Sequence, residues 1–163
     1  MNADEEFQNL FMAAFPAEPR PIKFFLETNE DWSDLDIPQE LERRIAGRLW
    51  TQVTLTDWRM TGTAPVVARR YLVPVTFLYY VPSIIAGTYR ELEFIEFALE
   101  GIIPDNKYHV PRGNWWFEFA EAVSPPQKVA LSVFLSYIRE AFWDRIGSAN
   151  QSLLEHAEKI WSV

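Results

Sequence analysis

The chain has 163 residues, of which 48% are hydrophobic and 23% charged, with seven Trp, twelve Phe and no Cys. This length suits one domain that buries about two-thirds of its extended-chain surface, and the lack of cysteine excludes disulfides and thiolate metal sites and fits a reducing cytoplasm. The net charge of −8 is unevenly placed: residues 1–42 hold 11 Asp/Glu and 2 Lys/Arg, a balance of −9, and the rest hold 12 and 13, a balance of +1. Such a chain repels phosphate backbones, so a basic protein partner is expected rather than nucleic acid.

The opening Met1-Asn2-Ala3-Asp4-Glu5-Glu6 has neither the basic flank nor the apolar run of a secretory signal, which again predicts a cytoplasmic protein. Phe7, Leu10, Phe11 and Ala14 then recur at one-face helical spacing over residues 3–15, with acids in the first turn and Asn2 as cap. Pro16, Pro19 and Pro21 stop that helix and impose an extended path. In the next run Glu27, Glu30, Asp31, Asp34 and Asp36 surround Trp32. Acidic runs usually form solvated loops. With a tryptophan at its centre, this one is also the candidate partner-binding surface, because tryptophans anchor interfaces. A calcium loop does not fit, since its Asp/Asn alternation, central Gly and terminal Glu are out of register.

Asp36-Ile37-Pro38-Gln39 has the cap and first-turn proline of a helix start, and Leu41, Ile45 and Leu49 carry that helix to about Trp50 in spite of Gly47. Residues 52–58 alternate like a strand, so a small hairpin or irregular loop near 52–60 is admitted, with Trp58 read as exposed. Thr63-Ala64-Pro65 repeats the cap-plus-proline signal. The uncharged stretch Tyr71 to Tyr89 follows, long enough to cross a bilayer by length alone. Its two prolines, its glycine and its four tyrosines argue against a span and for a buried core segment. Pro74 and Pro82 each favour opening a new helical turn, which predicts two short helices meeting in the core.

From Pro82 the periodic Leu92, Ile95, Leu99 and Ile102 predict a long helix near 82–100, ended by Gly101 and Pro104. Glu93, Glu96 and Glu100 on one side of it read as a solvated stripe, because a carboxylate metal bundle needs Glu-x-x-His pairs that are missing. His109 falls in a turn-rich loop and His156 on the last helix, neither with a specific role. Asn114 is read as the cap of a short aromatic helix. Ser124-Pro125-Pro126-Gln127 is the clearest start, a capping box with proline at the first position, and opens a long helix over about 125–146 with Gly147 as terminator. Ser148 or Asn150 caps a last helix bearing Leu153, Leu154, Ala157, Ile160 and Trp161. The expected fold is a single, mainly α-helical domain over 1–163, of about six or seven helices, with an acidic segment 1–42.

Leu49-Trp50, Phe77-Leu78-Tyr79-Tyr80-Val81-Pro82 and Ser124-Pro125-Pro126-Gln127 followed by Ala130 and Phe134-Leu135 resemble, in this order, a family of small uncharacterised bacterial helical domains. That family carries a Trp, a Phe-x-Tyr-Tyr-Leu-Pro run and a Ser-Pro-x-Gln…Phe-Leu helix. The resemblance spans about residues 40–140, has Val81 where leucine is usual, and implies a helical fold without any chemistry.

No glycine-rich phosphate loop, nucleophile elbow or His-Glu-x-x-His occurs in the chain, so no catalytic, cofactor-binding or metal residue is assigned. The expected function is non-enzymatic binding: a bacterial immunity protein or antitoxin that neutralises a basic toxin, or, by the same charge logic, an acidic mimic of nucleic acid. The expected partner surface is Glu27, Glu30, Asp31, Trp32, Asp34 and Asp36. The competing class is a small-ligand binder or enzyme with an aromatic-lined helical pocket, where Arg69, Arg70, Arg90, Tyr79, Tyr80 and His109 converge. Arg69, Arg70 and Arg90 otherwise pair with acids at the surface.

Overall fold

The computed structural model describes residues 3–26 and 36–162. The protein is mainly helical, with nine α-helices among the described residues. They are α1 (Ala3–Ala14), α2 (Asp36–Arg44), α3 (Leu55–Arg59), α4 (Pro65–Ala68), α5 (Pro74–Arg90), α6 (Ile95–Gly101), α7 (Asn114–Ala122), α8 (Pro125–Phe142) and α9 (Gly147–Trp161). The count exceeds the expected six or seven in part because the region admitted as a hairpin is itself helical. The only strand-like pairing among the described residues is an isolated bridge between Phe25 and Leu72.

α5 is the hub. It packs against α3, α6 and α7; α9 joins α6 to α8, and α8 packs on α1. The ring of contacts closes where Phe7 of α1 stacks on Tyr89 of α5, centroids 4.4 Å apart, and faces Phe134 of α8 at 6.1 Å. Phe77, Tyr80, Val81, Ile84 and Ile85 of α5 are all at most 1% exposed. That burial explains why α5 is one helix instead of two. An interior proline costs about 3 kcal/mol in local terms, but Pro82 lies in a segment whose flanks on both sides are fully packed, and tertiary burial supplies most helix stability. Pro74 does open the helix, at its first position. No helix among the described residues is long and apolar enough to cross a membrane.

The predicted helix 82–100 is interrupted. Glu91 leaves helical geometry at φ −116°, ψ 79°, and a 3-10 turn, Leu92–Phe94, leads into α6. The apolar period runs on across this break, which is why the sequence reads as one rod. α2 likewise ends at Arg44 rather than near Trp50, because Gly47 takes φ +77°, a left-handed conformation that favours glycine and stops helices.

The strand-like run 52–58 forms no hairpin: it passes from a 3-10 turn at Trp50–Gln52 into α3. Thr54 accepts from the Asp57 N–H and Asp57 returns a carboxylate to the Thr54 N–H, a capping box that decides the segment for helix. α3 sits so close to α5 that a Cβ added at Gly87 would lie 2.5 Å from the Leu55 Cβ. Gly87, which on sequence only dilutes an apolar stretch, is the point of closest approach.

The capping box at Ser124 and Gln127 is present as expected. Asn114, in contrast, is the first residue of α7, whose cap position is Gly113 at φ +88°. Ala64 takes the cap position of α4 with no side-chain bond, so Thr63 does not cap it. Gly147 opens α9 at φ +83° after α8 has ended at Phe142, and the Asn150 amide donates to the Ile146 carbonyl rather than capping an N–H.

Candidate functional site

The segment 64–72 passes from α4 into a 3-10 turn at Arg69–Tyr71. The turn sends two adjacent arginines in different directions. Arg69 points inward and is 3% exposed. Its Nη1 donates to the carbonyls of Gly101 (2.7 Å) and Glu100 (3.4 Å), and its Nη2 to that of Ile103 (2.9 Å). Carbonyls at a helix C-terminus lack partners within the helix and carry the negative end of its dipole, so Arg69 caps α6 from a distant part of the chain. Its guanidinium also lies 4.8 Å from the Trp115 ring centroid. Burial pulls the Arg69 pKa down to about 10, opposed by the charge of Asp105, so the side chain stays cationic at neutral pH.

Arg70 turns outward and holds Asp105 Oδ2 with Nη2 at 2.6 Å and Nε at 2.9 Å. The loop 104–113 then carries Arg112 to the same place, its path fixed by Asn106, which exchanges side-chain hydrogen bonds with the Val110 backbone. Arg112 is exposed. The Trp115 indole donates to the Leu72 carbonyl at 2.9 Å and so ties α7 to the arginine turn. Between these parts is a cavity of about 450 Å3, walled by Arg69, Arg70, Arg112, Asp105, Trp115 and Trp116. That volume lies in the range of small-molecule sites.

Glu100 stands beside this cluster. Burial, then its hydrogen bond with Glu96, pushes its pKa up to about 7. The expected solvated stripe is therefore only partly so: Glu93 and Glu96 are exposed, while Glu100 is half-buried. A carboxyl whose folded pKa is raised binds more protons folded than unfolded between the two values, so it stabilises below the unfolded pKa and that stability is lost as pH rises through about 7. Glu100→Gln should accordingly flatten the fall in chemical-denaturation midpoint between pH 5 and pH 8, leaving the acidic side little changed. A wild-type fall that survives the substitution would assign it to other groups.

Of the residues expected to converge in a ligand site, Arg69 and Arg70 do. The others serve the scaffold. The Tyr79 hydroxyl donates to the Ala17 carbonyl and accepts from the Trp50 N–H, and the Tyr80 hydroxyl donates to the Arg48 carbonyl. Arg90 lines a different cavity, about 460 Å3 between α1, α3 and α5, and its Nη2 is 3.4 Å from Asp4. His109 lies against His156, ring centroids 4.8 Å apart, and burial followed by the nearby His109 charge lowers the His156 pKa. The fold thus pairs the chain's two histidines, which spacing alone left unrelated.

Among the expected partner-binding residues, Glu27, Glu30, Asp31, Trp32 and Asp34 lie outside the described residues, and Asp36 is exposed at the start of α2. Trp58, read as exposed, is 0% exposed; its indole donates to the Ser83 hydroxyl at 2.8 Å. Sequence reasoning missed Asp105, Arg112, Trp115 and Trp116 as site residues. The one available signal was local, Arg112-Gly113 immediately before two tryptophans at a helix start. The chain matches no protein-family model, no curated protein and no solved structure.

Proposed function

We propose that the protein acts by binding a basic protein, as an immunity protein or antitoxin covering a toxin's active surface. The observation that carries this reading is the charge division, −9 over residues 1–42 against +1 over the rest. In the described part of that region Asp4, Glu18 and Glu40 face Arg90, Arg20 and Arg43/Arg44. Glu6, Asp36 and Glu42 are exposed and make no ion pair among the described residues, which leaves their charge to act on a partner. Opposite charge speeds encounter, and a tryptophan such as Trp32 supplies an anchor. The burial of Trp58 removes it from the anchors.

The test uses a basic protein encoded beside the gene, with association followed by surface binding kinetics. The wild-type on-rate should fall as salt rises, and reversing Glu30, Asp31 and Asp34 to lysine should slow association by about tenfold or more. Trp32→Ala should weaken binding by about 2 kcal/mol through faster dissociation. On-rates indifferent to both salt and charge reversal would overturn the reading. A partner that itself binds nucleic acid, and is displaced by a DNA oligonucleotide, would favour the mimic variant.

A second reading, a small-ligand binder or enzyme, is favoured by one observation: the cavity that Arg69 and Arg70 share.

A further inference from the structure

We infer that the cavity between the segment 64–72, the loop 104–113 and the start of α7 is a binding site for a small organic oxyanion, a carboxylate or phosphate ester on a compact apolar body; this rests on the second reading above. The charge on its walls is the first reason. Arg69, Arg70 and Arg112 line it, with Asp105 the one carboxylate among the described lining residues, a local cationic excess in a protein whose net charge is −8. Long-range repulsion of an anion is screened beyond about 8 Å at physiological salt, so the local groups decide.

The state of those arginines is the second reason. Arg69 is buried, yet every hydrogen bond it makes is to a neutral carbonyl, and a buried charge gains most from an opposite charge in contact. Arg70 commits Nε and Nη2 to Asp105 Oδ2. Arg112 is exposed, makes no ion pair among the described residues, and offers a planar fork of donors that matches carboxylate and phosphate.

The third reason is the wall material. The cap of α7 is Gly113, with no side-chain acceptor for the first-turn N–H groups, so the positive end of a nine-residue helix faces the cavity. Trp115 stacks on Phe119, centroids 5.4 Å apart, and lies 4.8 Å from the Arg69 guanidinium. The volume of about 450 Å3 exceeds what an inorganic anion fills and suits an organic body beside the charged group.

The test is calorimetric titration of the full chain with benzoate, phenyl phosphate and the neutral benzamide, with thermal unfolding in parallel. Benzoate or phenyl phosphate should bind one to one and raise the unfolding temperature, and benzamide should not; which of the two anions binds more tightly identifies the source as carboxylate or phosphate ester. Arg112→Gln, at an exposed loop position, should leave the ligand-free unfolding temperature unchanged and weaken the anion about tenfold or more. Arg90→Gln, in the other cavity, should leave anion affinity unchanged. Benzamide binding as well as benzoate, with equal loss in Arg112→Gln, would overturn the oxyanion class and keep a ligand site there. Binding of none of the three, or anion binding indifferent to Arg112→Gln, would overturn the site itself.

Discussion

Arg69→Ala is expected to lower the unfolding free energy by about 3 kcal/mol, measured as the shift in urea denaturation midpoint at constant slope. The figure is a balance of two effects. Hydrogen bonds from a charged donor contribute about 1.5–3 kcal/mol each, and Arg69 makes three to the end of α6 and the residue beyond Ile102. Against that sum, removing a buried cation relieves a desolvation cost of several kcal/mol. The bonds win because their loss takes the donor away from the carbonyls of Gly101 and Ile103, both buried residues, while the Glu100 carbonyl still accepts from the Ile103 N–H. Arg69→Met keeps much of the stem against Trp115 while deleting every donor, so a similar loss in that variant would locate the effect in the hydrogen bonds. A loss below about 1 kcal/mol in both would mean that water replaces the guanidinium.

Trp58→Ala is expected to cost about 3–5 kcal/mol, the range for truncating a fully buried aromatic. The ring is 0% exposed, meets Phe77 edge-on at 6.0 Å and donates to Ser83. Trp58→Phe separates the two contributions, since it retains most of the apolar volume and loses the indole N–H; about 1–2 kcal/mol is expected from the smaller ring and the lost donor to Ser83 Oγ, whose own bond to the Tyr80 carbonyl remains. Near-ultraviolet circular dichroism should lose part of its aromatic signal in both variants, because the indole sits in a fixed environment. Full stability in Trp58→Ala, with partner binding reduced, would instead return Trp58 to the surface.

These two side chains also show where reading along the chain stops working. Trp58 lies in a run whose apolar and polar residues alternate, and alternation is the signature of a half-exposed strand. A helix of five residues is too short to display a 3.6-residue period, so the capping pair Thr54 and Asp57 was the better evidence. Its burial could not be read from either pattern, because it depends on Gly87, 29 positions on, letting α3 approach α5. For Arg69, the sequence offered a choice between an anion clamp and a surface ion pair. The structure shows a third role, a cap for α6 built across more than 30 residues of chain.

What the amino-acid sequence determined by itself was local or compositional. The helical class, the start of α8 at Ser124 and Gln127, the start of α5 at Pro74, the buried stretch around Phe77 to Ile85 and the division of charge all follow from properties of residues within a turn or two of one another, or from counting. What the tertiary structure alone decided was how local preferences in conflict were resolved and which distant groups met. Pro82 disfavours helix locally, yet α5 continues through it because burial on both flanks outweighs one lost hydrogen bond. Arg69, Arg70 and Arg112 surround one cavity, and His109 meets His156, only because α4, the loop 104–113, α7 and α9 are brought together by packing on α5 and α6. Periodicity reports which face of an element is apolar; it carries no information about which polar groups from other elements will face one another across the space left when those apolar faces have packed.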